Sequence, residues 1–176
     1  MMRTFKKMMH QHRDRVFTFA LYYLGQYEEA EDVTQEVFVR LWKYGDRVEA
    51  GKLEHWLITV TRNACFDALR RRKVYQAHVT STDLSERDFA ELADDADSPE
   101  QLTENSDFQE KLEHALAKID DPYRSILILR EIQDYKYEQI GDALDLPLNT
   151  VKAYLHRGRK MLREQLKCVW EDEKHI

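Results

Sequence analysis

The stretch "STDLSERDFAELADDADSPEQLTENSD", residues 81–107, decides how many cores this chain can build. Residues 76–110 hold one Arg against eleven Asp and Glu, a net charge of −10, with few apolar residues and a Ser-Pro step. A segment so poor in apolar surface cannot offset its ordering entropy by burial, so it reads as a solvated linker. Either side of it the sequence is apolar enough for a core and follows a helical period, with five Gly and three Pro in all 176 residues. The expected fold class is therefore all-α: two small helical domains, residues 1–75 and 108–176, joined by an acidic flexible linker at 76–107.

In the first half one apolar stripe runs through Val16, Phe19, Ala20, Tyr23 and Leu24, and a second through Ala30, Val33, Val37 and Leu41. These spacings put each set on one face of a helix. After the break "GDRVEAGK" a third helix is expected from about Leu53 to Lys73, with Leu53, Leu57, Val60, Ala64 and Ala68 inward. Arg70, Arg71, Arg72 and Lys73 then fall at its C-terminus, where they complement the helix dipole as well as any phosphate. The second half opens with the stripe Leu112, Leu116 and Ile119, stops at Asp120-Asp121-Pro122, and resumes with Ile126, Leu127, Leu129 and Ile132.

The remaining pattern, "YEQIGDALDLPLNTVKAYLHRGRKMLREQL", has an apolar set at Ile140, Leu144 and Leu146 and another at Val151, Leu155 and Leu162, separated by Asp145-Leu146-Pro147. Two short helices joined by a tight turn, with Gly141 at the close crossing, form a helix-turn-helix. From Thr150 to Lys167 six Lys and Arg face one Glu, a local +5 in a chain whose net charge is −6. With Val151 and Leu155 inward, Asn149, Lys152, Ala153, His156, Arg157 and Lys160 share the outward face. Such a face has the reach and charge for a DNA major groove, although a basic surface helix pairing with the acidic linker uses the same residues. Catalysis has no comparable support. There is no Gly-rich phosphate loop, no His/Cys metal spacing and no coherent Ser/His/Asp set, so neither cofactor nor metal is expected. Cys65 and Cys168 lie far apart, which suits a reducing cytoplasm, and "VFTFALYYLG" is too short to span a bilayer.

Three blocks, "AEDVTQEVFVRLWKY", "HWLITVTRNACFDALRRRK" and "IDDPYRSILILREIQDYKYEQIGDALDLPLNTVKAYLHRGRKMLRE", resemble in order the signature blocks of extracytoplasmic-function sigma factors, the compact two-domain group of the sigma-70 family. The resemblance covers roughly residues 10–75 and 108–167. It implies a transcription initiation factor that binds core RNA polymerase and directs it to promoters. Asp32, Gln35 and Glu36 match the polar contacts to the clamp helices of the polymerase largest subunit, and Val39 and Arg40 lie on the same outward face. The third helix matches the element that opens and reads the −10 region, through Trp56, Thr59, Arg62, Asn63, Asp67, Arg70 and Arg71. Trp56 has a second reading as core; Asn63 matches the residue beside a flipped-out base. The helix-turn-helix residues are then −35 readers.

The implied partners are core polymerase, promoter DNA (duplex at −35, single-stranded at −10) and an anti-sigma factor, often membrane-bound. The implied location is the bacterial cytoplasm, in that last case at the inner membrane face. Three positions depart from the family pattern: Asp145 replaces a turn Gly, Pro147 replaces a capping Ser, and Tyr154 stands where Arg is frequent. The rival reading is a helix-turn-helix regulator that binds duplex operators without polymerase.

Overall fold

The computed structural model describes residues 2–49, 51–82 and 104–173, all helix or short connection. Helix α1 spans Met2–Leu24 and α2 spans Tyr27–Tyr44. Between them Gly25 takes a left-handed conformation (φ 69°) and its N–H closes on Leu21 O at 2.8 Å. A residue with a Cβ resists that backbone angle, so Gly here ends α1 and reverses the chain. Helix α2 buries Ala30, Val33, Thr34, Val37, Phe38 and Leu41, and Glu28 and Glu29 in its first turn and Lys43 in its last suit its dipole.

A short 3₁₀ turn at Gly45–Arg47 leads to α3, Leu53–Thr82. Leu57, Ala64 and Ala68 are buried as the pattern predicts, joined by Ile58, Thr61 and Cys65, while Leu53 and Val60 are half-buried. The helix runs nine residues beyond the expected end at Lys73, to Thr82. Arg70 to Lys73 therefore lie inside the helix, and the dipole argument for them lapses. Arg72 instead forks onto Glu29, with Nη2 also donating to Leu24 O at 3.1 Å, so it ties α3 to the end of α1 and the start of α2. The described helices also enter both ends of the expected linker, whose middle, residues 83–103, lies outside the described residues.

The second half comprises α4 (Glu104–Ala117), α5 (Tyr123–Leu127), a π-helical turn at Ile128–Ile132, α6 (Tyr137–Leu144) and α7 (Leu148–Glu173). The stop at Asp120-Asp121-Pro122 stands as expected, with a cis Asp121-Pro122 bond. Leu116, Ile119, Ile126, Leu127, Ile128, Leu129, Ile140, Val151 and Leu155 make its core. Helix α7 lies close on α5 because residue 158 is Gly: a Cβ there would come within 3.2 Å of Leu127 Cγ.

The two halves also pack on each other, an arrangement the sequence does not announce. Gln133 Nε2 donates to Arg15 O at 2.7 Å, Arg15 pairs with Glu54 at 2.8 Å, and the Arg15 guanidinium lies over the Tyr135 ring at 4.9 Å. His12 lines the same small recess with Arg15, Glu54, Gln133 and Tyr135. Burial, with a smaller opposing effect of Glu54, holds the His12 imidazole below the ordinary histidine value of 6.5. The unfolded chain then takes up the proton first, so His12 favours the fold above the ordinary value and this contribution disappears as pH falls through the lower folded one. Thermal unfolding followed across acid pH should show stability declining in that window, with a shallower decline for His12→Gln.

Candidate nucleic-acid interface

Helices α6 and α7 form the expected helix-turn-helix. Gln139 Oε1 accepts from the Lys136 N–H at 2.9 Å at the start of α6. Asp145 ends the helix in the left-handed conformation (φ 54°, ψ 50°), its N–H directed to Gly141 O, and the Leu146 N–H reaches the same carbonyl at 2.9 Å. Asp is among the few non-Gly residues that adopt this conformation readily, so the departure at 145 keeps the turn. Gly141 is where the turn folds back: a Cβ there would stand 2.8 Å from Leu146 O and 3.6 Å from a Val151 methyl. Gly141→Ala must push the turn away from α6, and should destabilise the chain by about 1–3 kcal/mol in denaturant unfolding.

On α7, Asn149, Lys152, Ala153, His156, Arg157 and Lys160 are all exposed, and Val151 and Leu155 beneath them are buried. Asn149 sits in the first turn, where helix N–H groups lack intrahelical partners. Two neighbours leave this face. Arg159 pairs with Glu131 at 2.6 Å, and Tyr154 packs its ring against Tyr123 with centroids 5.1 Å apart. The position where the family often has Arg is thus spent on packing.

The candidate single-strand residues of α3 divide into two groups. Asn63, Arg70 and Arg71 are exposed, and half-buried Asp67 lies 3.7 Å from Arg70. Trp56, Thr59 and Arg62 are half-buried. Trp56 packs against the core, Thr59 donates to Ala143 O at 3.2 Å, and Arg62 Nε donates to Asp121 Oδ2 at 3.1 Å and to Ser125 Oγ at 3.2 Å. The latter two thus meet the second half of the chain.

On α2, Asp32, Gln35 and Val39 are exposed, whereas Glu36 and Arg40 pair with each other one turn apart and are half-buried. Beside Gln35 and Val39 a groove is lined by Phe5, Met9, Phe17, Phe38 and Trp42. Trp42 is 55% exposed despite an edge-on contact with Phe5 at 4.9 Å. The apolar stripe does not single out Trp42; its signal in the sequence is an aromatic lying off the Ala30/Val33/Val37 face.

The family match follows this geometry. The sigma-70 region 2 family model matches residues 8–74, and the sigma-70 region 4 model matches residues 109–162, the segment that ends in the helix-turn-helix. The RNA polymerase sigma factor YlaC of Bacillus subtilis is 30% identical over 148 residues, 84% of this chain and 83% of its own. The extracytoplasmic-function sigma factor SigE of Mycolicibacterium smegmatis is 33% identical over 165 residues, covering 94% of this chain; the aligned part spans 62% of that longer relative. In solved structures the fold is shared with the sigma factor RpoE of Bartonella quintana, crystallised with the anti-sigma factor NepR, at a TM-score of 0.70 and 24% identity over 94% of this chain and 98% of that one. The chain belongs to the sigma-70 family of RNA polymerase sigma factors. Within it, its relatives place it in the extracytoplasmic-function group.

Proposed function

We propose that the chain is a dissociable specificity subunit of RNA polymerase, carrying no catalysis of its own. In this reading α2 docks on the clamp helices of the largest subunit through Asp32, Gln35, Glu36, Val39 and Arg40. Helix α7 reads duplex at −35 through Asn149, Lys152, Ala153, His156, Arg157 and Lys160. Helix α3 helps open and read the −10 strand through Trp56, Thr59, Arg62, Asn63, Asp67, Arg70 and Arg71. The observation that carries the reading is the outward basic face of α7, standing on a closed helix-turn-helix in a chain that is acidic overall. An acidic protein with a local basic reader binds DNA weakly alone and well once polymerase holds it there. A regulator acting without polymerase needs no outward α2 face of this kind.

The site of action is the cytoplasm. Among the described residues no helix is long and apolar enough to cross a membrane. The solved RpoE relative is held by an anti-sigma factor, which supports an anti-sigma partner here too, membrane-bound in the form that would keep this chain at the inner membrane face. Asn63 supplies the test. Its exposed amide can hydrogen-bond an unpaired base. In the holoenzyme, Asn63→Ala should weaken permanganate reactivity of the opened −10 strand and relax preference at one non-template base, with a smaller effect on a template already melted. Unaltered footprints and preference would remove Asn63 from the reader.

A further inference from the structure

The region 2 match ends at residue 74, but α3 runs on to Thr82, and residues 73–78 are exposed on every side of the helix. Val74 is 51% exposed and Tyr75 70%, the most of any large hydrophobic among the described residues. Charge is as lopsided as packing. From 68 to 82 there is no Asp or Glu, in a chain that holds 33, and the carboxylates begin again only at Asp83, just past the helix. Lys73 is exposed, and the side chains of Arg70 and Arg71 are 76% and 66% exposed, their nearest carboxylates 3.7 and 3.9 Å away on Asp67 and Glu36. Such loose pairs hold a guanidinium weakly and leave it free for a stronger anion.

Helical spacing sets this strip in register with Asn63. Asn63, Arg70 and Val74 follow one ridge of α3, with Arg71 and Tyr75, four apart, on one flank and Lys73 on the other. Tyr75 lies about 18 Å along the axis from Asn63, the length of about five base-pair steps.

The chain connection decides which way α3 points when it lies along the DNA. The −35 and −10 elements are separated by about 25 base pairs, or roughly 85 Å of duplex at 3.4 Å per step. From Asn63 to Thr82 the helix rises about 28 Å, and the residues joining Thr82 to Glu104 span at most roughly 75 Å. With its C-terminus toward −35, α3 leaves about 57 Å to cross, which the connection reaches. Pointed the other way it leaves about 113 Å, and the shortfall exceeds the breadth of about 28 Å expected for a compact second half. Lys73, Val74 and Tyr75 therefore lie upstream of Asn63, over DNA that is still paired.

We propose that Lys73, Val74 and Tyr75 extend the DNA surface of α3 onto the duplex immediately upstream of the opened −10 strand. The Lys73 ammonium and the Tyr75 hydroxyl donate to phosphate oxygens, and the Tyr75 ring and Val74 cover the sugars between them. This contact carries no base readout. Its effect is positional: it anchors the last paired turn while Asn63 engages an unpaired base, and so helps set where pairing ends. The proposal rests on the assignment of Asn63 as a −10 reader. Duplex DNA fits better than a protein partner because the strip is cationic, free of carboxylates and continuous with the Asn63 ridge.

Holoenzyme binding to forked templates tests this. Each template carries an unpaired −10 strand and no −35 element, with upstream duplex of either about two or about ten base pairs, short of or beyond the reach of Tyr75. The longer duplex should tighten wild-type binding about tenfold. Lys73→Ala combined with Tyr75→Ser should erase that gain, leave the short fork unaffected and lower the salt slope by about one unit. Both side chains are exposed, so the melting curve should not move. A full gain in the double variant would overturn the contact, and so would no gain in the wild type while Asn63→Ala still weakens the short fork. If the double variant instead loses affinity for core polymerase without DNA, the strip belongs to a protein interface and the proposal falls. Asn63→Ala without effect on either fork marks the failure of the underlying −10 assignment. A photo-crosslinker on Gln76→Cys, exposed beside Tyr75, should label the upstream duplex; label on the downstream strand would reverse α3 and contradict the proposal.

Discussion

Asp32→Lys should lower affinity for core RNA polymerase by roughly ten- to a hundredfold, on the order of 1.4–3 kcal/mol, while leaving thermal unfolding nearly unchanged. Asp32 is exposed on α2, one turn from exposed Gln35 and on the side of the helix away from the buried Ala30, Val33 and Val37. An exposed substitution of this kind usually shifts stability by no more than about 0.5 kcal/mol, so a binding loss reports the interface and not the fold. Glu36 is a less clean probe. It already pairs with Arg40 and lies 3.9 Å from Arg71, so reversing it would set three cations together within the chain. Titration of labelled chain against core polymerase, with a melting curve for each variant, distinguishes the two effects; equal affinity of variant and wild type would remove Asp32 from the docking face.

Arg157→Ala and Lys160→Ala should behave differently although both side chains are exposed on the same face of α7. In the proposed reading Arg157, with exposed Lys152 and His156 near it on the same face, forks onto a base edge, and its loss should cost about 1–3 kcal/mol in a manner that depends on the base pair it faces. Lys160, a turn further on, is a phosphate contact in the same proposal. Its loss should weaken every promoter about equally and reduce the salt slope of binding by roughly one unit. Arg159 provides the internal comparison: its guanidinium is engaged by Glu131, so Arg159→Ala should register in stability before it registers in promoter preference. Holoenzyme binding to a panel of −35 sequences at several salt concentrations reads all three.

The local architecture was legible because it rests on periodicity and turn chemistry. Val33 and Val37, or Val151 and Leu155, declare an inward face by their spacing, and Asp145-Leu146-Pro147 declares a turn that the left-handed Asp145 then makes. The end of α3 was not legible, because the run of basic residues at 70–73 looks like a helix terminus, whereas Arg72 contacts Glu29 and Leu24 O from inside a helix that runs on to Thr82. The packing of the two halves was hidden for a related reason. It depends on Arg15, Arg62, Asp121, Arg124 and Gln133, polar residues that sequence rules assign to solvent, and their pairing is a property of three dimensions. The π-helical turn at Ile128–Ile132 carries no composition signal of its own; Ile128 and Leu129 inward with Arg130 and Glu131 beside them is the pattern of an ordinary half-buried helix. The helical period places the candidate reading residues on outward faces; all six on α7 are exposed, whereas on α3 Trp56 packs against the core and Thr59 and Arg62 turn toward the second half.

Run-off transcription with purified core polymerase, with and without this chain, on a template carrying −35 and −10 elements tests the central claim most directly. The account predicts that core alone gives no specific transcript, that the chain alone binds the duplex weakly, and that together they yield a transcript from one defined start with an opened −10 region. A chain that binds a palindromic duplex tightly by itself, and adds no specific initiation to core polymerase, would contradict it.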